Sequence, residues 1–203
     1  MPTGRLSSTI NVGGINMNSV VTKTDEGQIG QEVSFDAPDS GTLTTRTDDD
    51  TGVVTLSAGH GITTGTKVNV FWSGGERRGM DATVAGNDVT VDAGAGTAFP
   101  AQDTAVEVAL IVQIDMDFDG DKLTMLAAMS ETSNAHCVLL DDGASEALEL
   151  DLVAGQAYTY YVDAAATTNP VAGDVIDDVY VSAAYGGSAG TCKLGVLYNS
   201  TNN

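Results

Sequence analysis

Three short runs decide the fold: Val53-Val54-Thr55-Leu56, Lys67-Val68-Asn69-Val70-Phe71-Trp72, and Thr83-Val84-Ala85 joined through Gly86-Asn87-Asp88 to Val89-Thr90-Val91. Each is rich in β-branched or aromatic residues, and the third has the form of a tight hairpin whose turn residues tolerate positive φ. Gly59-His60-Gly61 and Ser73-Gly74-Gly75 supply turns between them. Outward from this centre the alternation continues through Val106 to Phe118, Lys122 to Met129, His136 to Leu140, Ala147 to Val153, Tyr158 to Val162, Val175 to Val181 and Cys192 to Tyr198. Helical spacing of apolar residues is nearly absent. The best helical candidate, Leu123 to Glu131, follows a turn at Asp119-Gly120-Asp121 without a suitable cap, and it reads as a strand. Short strands at this spacing predict an all-β chain, a small β-barrel unit plus a jelly-roll-like β-sandwich, with short turns and little or no helix.

Composition divides the chain in three. Residues 1–46 are rich in Thr, Ser, Asn and Gln, and Asp48-Asp49-Asp50-Thr51-Gly52 forms an acidic joint after them. Residues 47–105 then read as a compact five-strand barrel, and 106–203 as the sandwich. Because a sandwich needs about seven strands, the N-terminal strands are expected to complete it, which makes the barrel an insertion.

The 203 residues carry 28 acids against 8 bases, a formal charge of −20. A surface that negative repels duplexes and anionic membranes, so neither nucleic acid nor membrane is an expected partner. The excess is lopsided: residues 1–100 hold 12 acids and 6 bases, residues 101–203 hold 16 and 2. With 42% hydrophobic and 18% charged residues the composition suits a packed core rather than a disordered acidic chain. Met1 to Gly14 lacks the charged start and apolar middle of a secretory signal, and the longest apolar run, Val108 to Val112, is too short for a membrane helix. Cys137 and Cys192 match neither a disulfide framework nor a CxxC pair, and read as buried free thiols or a single disulfide.

The sharpest chemical motif is Asp115-Met116-Asp117-Phe118-Asp119-Gly120-Asp121, the opening of a calcium loop, with carboxylates at alternate positions before a glycine turn. The twelfth loop position is Leu126 where a bidentate Glu belongs, and Met116 and Phe118 continue a strand pattern from Ile114. Two readings follow: a calcium site at Asp115, Asp117, Asp119 and Asp121, helped by Asp141 and Asp142 or by Asp177 and Asp178, or a strand ending in a hairpin. No other cofactor is expected. His60 sits between two glycines and His136 precedes Cys137, whose side chain points to the opposite strand face, so both histidines read as structural and no nucleophile–base pair forms. The positions of two Cys and two His lack zinc spacing. Gly59 to Gly65 resembles a dinucleotide fingerprint only superficially, since no helix follows it. A carboxylate glycosidase is disfavoured by one Trp and 5% aromatics. The six tyrosines, Tyr158, Tyr160, Tyr161, Tyr180, Tyr185 and Tyr198, lie in the last quarter and suit core or interface packing or a carbohydrate-binding face. Arg77-Arg78, the one basic pair, is a candidate for contact with an acidic neighbouring subunit or particle, or a plain hairpin tip.

Val54 to Gly65, continuing through Val68 to Trp72 and Gly74-Gly75, resembles a module of virion structural proteins of tailed bacteriophages. So does Asp174 to Val181, followed by a Gly/Ser-rich turn and Cys192 to Tyr198. The resemblance implies a capsid-decorating or tail-associated β protein without catalytic residues, assembled in the bacterial cytoplasm, residing in the virion, and partnered by copies of itself as a trimer or higher oligomer and by other virion proteins. A carbohydrate or cell-surface binding module, assisted by calcium, is the alternative from another class, and a carboxylate hydrolase the third.

Overall fold

A computed structural model describes residues 6–12, 15–21, 26–92, 98–115, 122–141, 146–161 and 176–199. The described residues form sixteen strands and no helix: β1 Leu6–Val12, β2 Ile15–Val21, β3 Glu26–Phe35, β4 Asp39–Arg46, β5 Thr51–Leu56, β6 Lys67–Trp72, β7 Gly75–Ala85, β8 Asp88–Asp92, β9 Ala105–Leu110, β10 Val112–Asp115, β11 Lys122–Ser130, β12 Ala135–Asp141, β13 Glu146–Leu152, β14 Ala157–Tyr161, β15 Ile176–Ala183 and β16 Gly190–Asn199. The chain is all-β, and Lys122–Ser130 is a strand. It divides into two compact units, one of Phe35–Val112 with Ser182–Ala189, the other of Met1–Ser34, Gln113–Val181 and Gly190–Asn203.

In the first unit six strands close a barrel in the order β4-β5-β8-β7-β6-β9. Period-2 alternation fills it. Leu43, Val54, Leu56, Val68, Val70, Trp72, Met80, Ala82, Val89, Val91, Val106 and Val108 point inward and pack with Ile62 and Phe99. Trp72 and Phe99 meet with ring centroids 6.0 Å apart. The barrel strands run from Asp39 to Leu110, beyond the expected 47–105, and only four lie wholly between residues 47 and 104. The acidic joint is the β4–β5 turn itself. The Thr47 N–H donates to the Thr51 carbonyl at 2.9 Å, and Asp48 Oδ1 accepts from the Asp50 and Thr51 amides at 2.9 and 2.6 Å. At the β7–β8 hairpin Ala85 pairs with Asp88, so the turn is Gly86-Asn87, with Gly86 at φ +66. Asp88 belongs to the strand.

Barrel curvature rests on close backbone approach. A Cβ on Gly41 would lie 2.8 Å from the Thr55 carbonyl oxygen and 2.5 Å from Leu56 Cδ2. The same strand pair carries a register shift between Leu43 and Thr45, which bends β4.

The second unit contains two four-stranded sheets, β10-β15-β12-β13 and β14-β11-β16-β3, and the β1–β2 hairpin. Both sheets contribute buried side chains: Cys137, Leu150, Leu152, Val179 and Val181 from one, Val33, Ala128, Cys192 and Leu194 from the other. Both cysteines are free and buried. Burial, with Cys192 nearby, pushes the Cys137 thiol well up, and burial pushes Cys192 up to about 12, so both stay protonated and inert at neutral pH.

Two predictions follow from the barrel. Gly41→Ala should lower unfolding free energy by about 1–3 kcal/mol, from overpacking against a backbone oxygen, measured by urea denaturation. The Asp48 carboxyl is held below its ordinary 3.8 by the Asp50 and Thr51 amides, so its stabilisation is present above pH 3.8 and lost as pH falls through the lower folded value. Asp48→Ala should therefore melt below the parent at pH 7, with the gap closing as the pH is taken below about 3.8.

Candidate functional site

Part of the outer face of the barrel is covered by the barrel unit's own chain. On β6, Val68, Val70 and Trp72 face inward, yet Asn69 and Phe71, which face out, are only 2% and 3% exposed. Their cover is the Ser182–Ala189 segment, the last two residues of β15 with the turn that leads to β16, which belongs to the barrel unit. Asn69 Nδ2 donates to Ser182 Oγ at 2.8 Å, the Phe71 and Tyr185 rings lie 6.2 Å apart, and the Gly186 amide donates to Glu107 Oε2 at 2.7 Å. Glu107 is opposite Phe71 in the β6–β9 register, so all three contacts fall on adjacent strands.

Asn69 also serves a second strand. Between Val68 and Val70 the β6–β7 register shifts, leaving Arg78 and Gly79 bulged, with Gly79 at φ +67. The Gly79 amide, turned from the ladder, donates to Asn69 Oδ1 at 2.9 Å. One buried carboxamide therefore satisfies a bulge on one side and anchors the covering segment on the other.

Arg77 and Arg78 lie at this bulge rather than at a hairpin tip. The Arg77 side chain is 8% exposed with its guanidinium 3.9 Å from Asp50 Oδ1, and Arg78 Nη2 donates to Glu76 Oε1 at 2.6 Å. Each already faces an acid of its own chain. His60 is a turn clamp: the Ile62 amide donates to Nδ1 at 3.1 Å, so Nε2 bears the proton and donates to the Gly86 carbonyl at 3.2 Å. The ring ties the β5–β6 loop to the β7–β8 turn, which is a structural use.

Of the calcium-loop carboxylates, Asp115 ends β10 with its side chain outside the described residues, and Asp117, Asp119 and Asp121 lie outside them altogether. Asp142 and the side chains of Asp141 and Asp177 do so too, while Asp178 accepts from Gln113 Nε2 at 2.8 Å. Tyr158 and Tyr185 are exposed, and the side chains of Tyr160, Tyr161 and Tyr198 are outside the described set.

A cluster that spacing did not suggest lies on the β12–β13 hairpin. His136 is opposite Asp151, and Glu149 is opposite Val138 two residues along. Alternation puts Cys137 and Leu150 on the other face. His136 is 3% exposed, its Nδ1 is 3.0 Å from Asp151 Oδ1 and its Nε2 is 3.9 Å from Glu149 Oε1. The sequence reads His136 as structural because the adjacent Cys137 points to the opposite strand face; Glu149 and Asp151 are 13 and 15 residues away, and the Glu-x-Asp alternation of β13 is the signal that points to them.

No protein-family model matches the chain, and no curated protein matches it significantly. Among solved structures, one described as the structure of infectious bursal disease virus Gx strain is similar at 11% identity and a TM-score of 0.21, over 98% of this chain and 66% of that one. The chain thus spans less than two thirds of that neighbour's length, and a TM-score this low bears on neither fold nor function.

Replacing Asn69 by Ala leaves the Gly79 amide and the Ser182 hydroxyl without their shared partner. The expected loss is about 1–3 kcal/mol, read by chemical denaturation, with faster hydrogen exchange at the Gly79 amide than in the parent protein.

Proposed function

We propose that this protein is a non-enzymatic virion structural protein that decorates or stabilises the capsid of a tailed bacteriophage through contacts between symmetric β-rich copies. The observation that carries the reading is where its two phage-like stretches lie. Val54 to Gly75 contains Asn69 and Phe71, and the end of β15 with the Gly/Ser-rich turn after it contains Ser182 and Tyr185; these four side chains meet on the outer wall of the barrel. The stretches that resemble virion proteins are thus parts of one packed feature.

Physical properties agree with a building role. Closure leaves the barrel without edge strands, whereas β10, β13, β14 and β3 are the end strands of the two open sheets, with no further hydrogen-bonded neighbour among the described residues. End strands carry backbone groups able to pair with another chain. A charge of −20 keeps free copies apart and off DNA until contacts of matching shape and charge form. Contacts through Arg77 and Arg78 would exchange Asp50 and Glu76 for acids of a neighbour.

Electron microscopy and sedimentation of the full chain, alone and mixed with undecorated tailed-phage capsids, test the reading. Rings or particle-bound knobs whose formation responds to ionic strength are expected. A monomer at the highest soluble concentration that binds no capsid would overturn it. Binding confined to tails would replace decoration with a tail role, and calcium-dependent glycan binding without assembly would favour the surface-binding alternative.

A further inference from the structure

We propose that His136, Glu149 and Asp151 form a binding site for a divalent transition-metal ion of the zinc class. Strand pairing brings the three to one face of the β12–β13 hairpin, and one ligand atom from each lies within 4.8 Å of the others. An ion at this point takes one ring nitrogen and one oxygen from each carboxylate.

The donor set selects the ion. Calcium and magnesium favour shells made of oxygen, whereas imidazole with carboxylates suits zinc and its neighbours. With zinc bonds of about 2.0–2.2 Å, tetrahedral donors lie about 3.3 Å apart. The 3.0 Å between His136 Nδ1 and Asp151 Oδ1 is close to that; Glu149 Oε1 lies 3.9 Å from the other ring nitrogen, Nε2, so an ion shared by all three uses one nitrogen and draws in the Glu149 carboxylate, the three ligand atoms starting within 4.8 Å of one another. The two acids lie at the surface, with side chains 41% and 79% exposed, while the imidazole is 3% exposed. Two carboxylates beside an imidazole favour a divalent cation, in the half of the chain where acids most outnumber bases. Three protein ligands leave a fourth position on the exposed Asp151 side for water or a donor from another copy.

The site is distinct from Asp115 to Asp121 and independent of the virion reading. Its test is calorimetric titration of the full chain, stripped with EDTA, with zinc chloride, alongside thermal melts. One zinc per chain and a raised melting temperature are expected, with Glu149→Gln and Asp151→Asn each weakening affinity more than about tenfold. Asp81→Asn, in the barrel, should leave it unchanged. Both test substitutions replace partly or well exposed acids by near-isosteres, so they report on binding where His136→Ala could unfold the hairpin; unchanged far-ultraviolet circular dichroism confirms this. Absence of saturable zinc binding, equal affinity in the Gln and Asn variants, or displacement of zinc by equimolar calcium would each overturn the site.

Discussion

β9 hydrogen-bonds on both of its sides, and the barrel depends on this double pairing. Val108 lies opposite Asp39 of β4 and also opposite Val70 of β6, and the same two-sided register holds at Glu107 and Val106. Without β9, β4 and β6 would be the open edges of a five-stranded sheet, and Leu43, Val54 and Val70, fully buried now, would lie in an unclosed trough. Closure removes those edges and gives the inward residues a common interior, where apolar burial supplies most of the stabilisation. It also gives β6 and β9 the firm outer wall on which Ser182–Ala189 rests.

That wall explains an otherwise odd pattern. A barrel strand with one buried face should alternate, but five consecutive residues of β6, Val68 to Trp72, are buried. The inward three belong to the core and the outward two to the covering segment. Asn69 is the polar member of the second set, and it is tolerated in a dry place because its carboxamide both accepts from Gly79 and donates to Ser182. The bulge, the outward carboxamide and the covering turn are therefore a single arrangement.

Much of this was legible in the sequence. Alternation in Val53 to Leu56, Lys67 to Trp72 and Thr83 to Val91 marks barrel strands because those strands each bury several branched side chains. β4 is harder to see: only Leu43 of Asp39–Arg46 is buried, so the strand falls within the polar residues 1–46 expected to complete the sandwich, and its acidic turn reads as a domain joint. Register is the larger gap. Nothing local in the chain announces that Gly79 bulges against Asn69, or that His136 stands opposite Asp151, since both facts follow from pairing between strands. The cysteine reading fared better, as alternation alone separates Cys137 from His136, and both thiols prove free and buried.

The central structural claim is that β9 is paired on both edges, and amide hydrogen exchange resolved by residue tests it most directly. In a strand successive N–H groups point to opposite sides, so double pairing predicts strong protection at the consecutive residues Val106, Glu107 and Val108. Protection at every second residue only, with the intervening amides exchanging as fast as an open edge, would mean that the barrel is not closed.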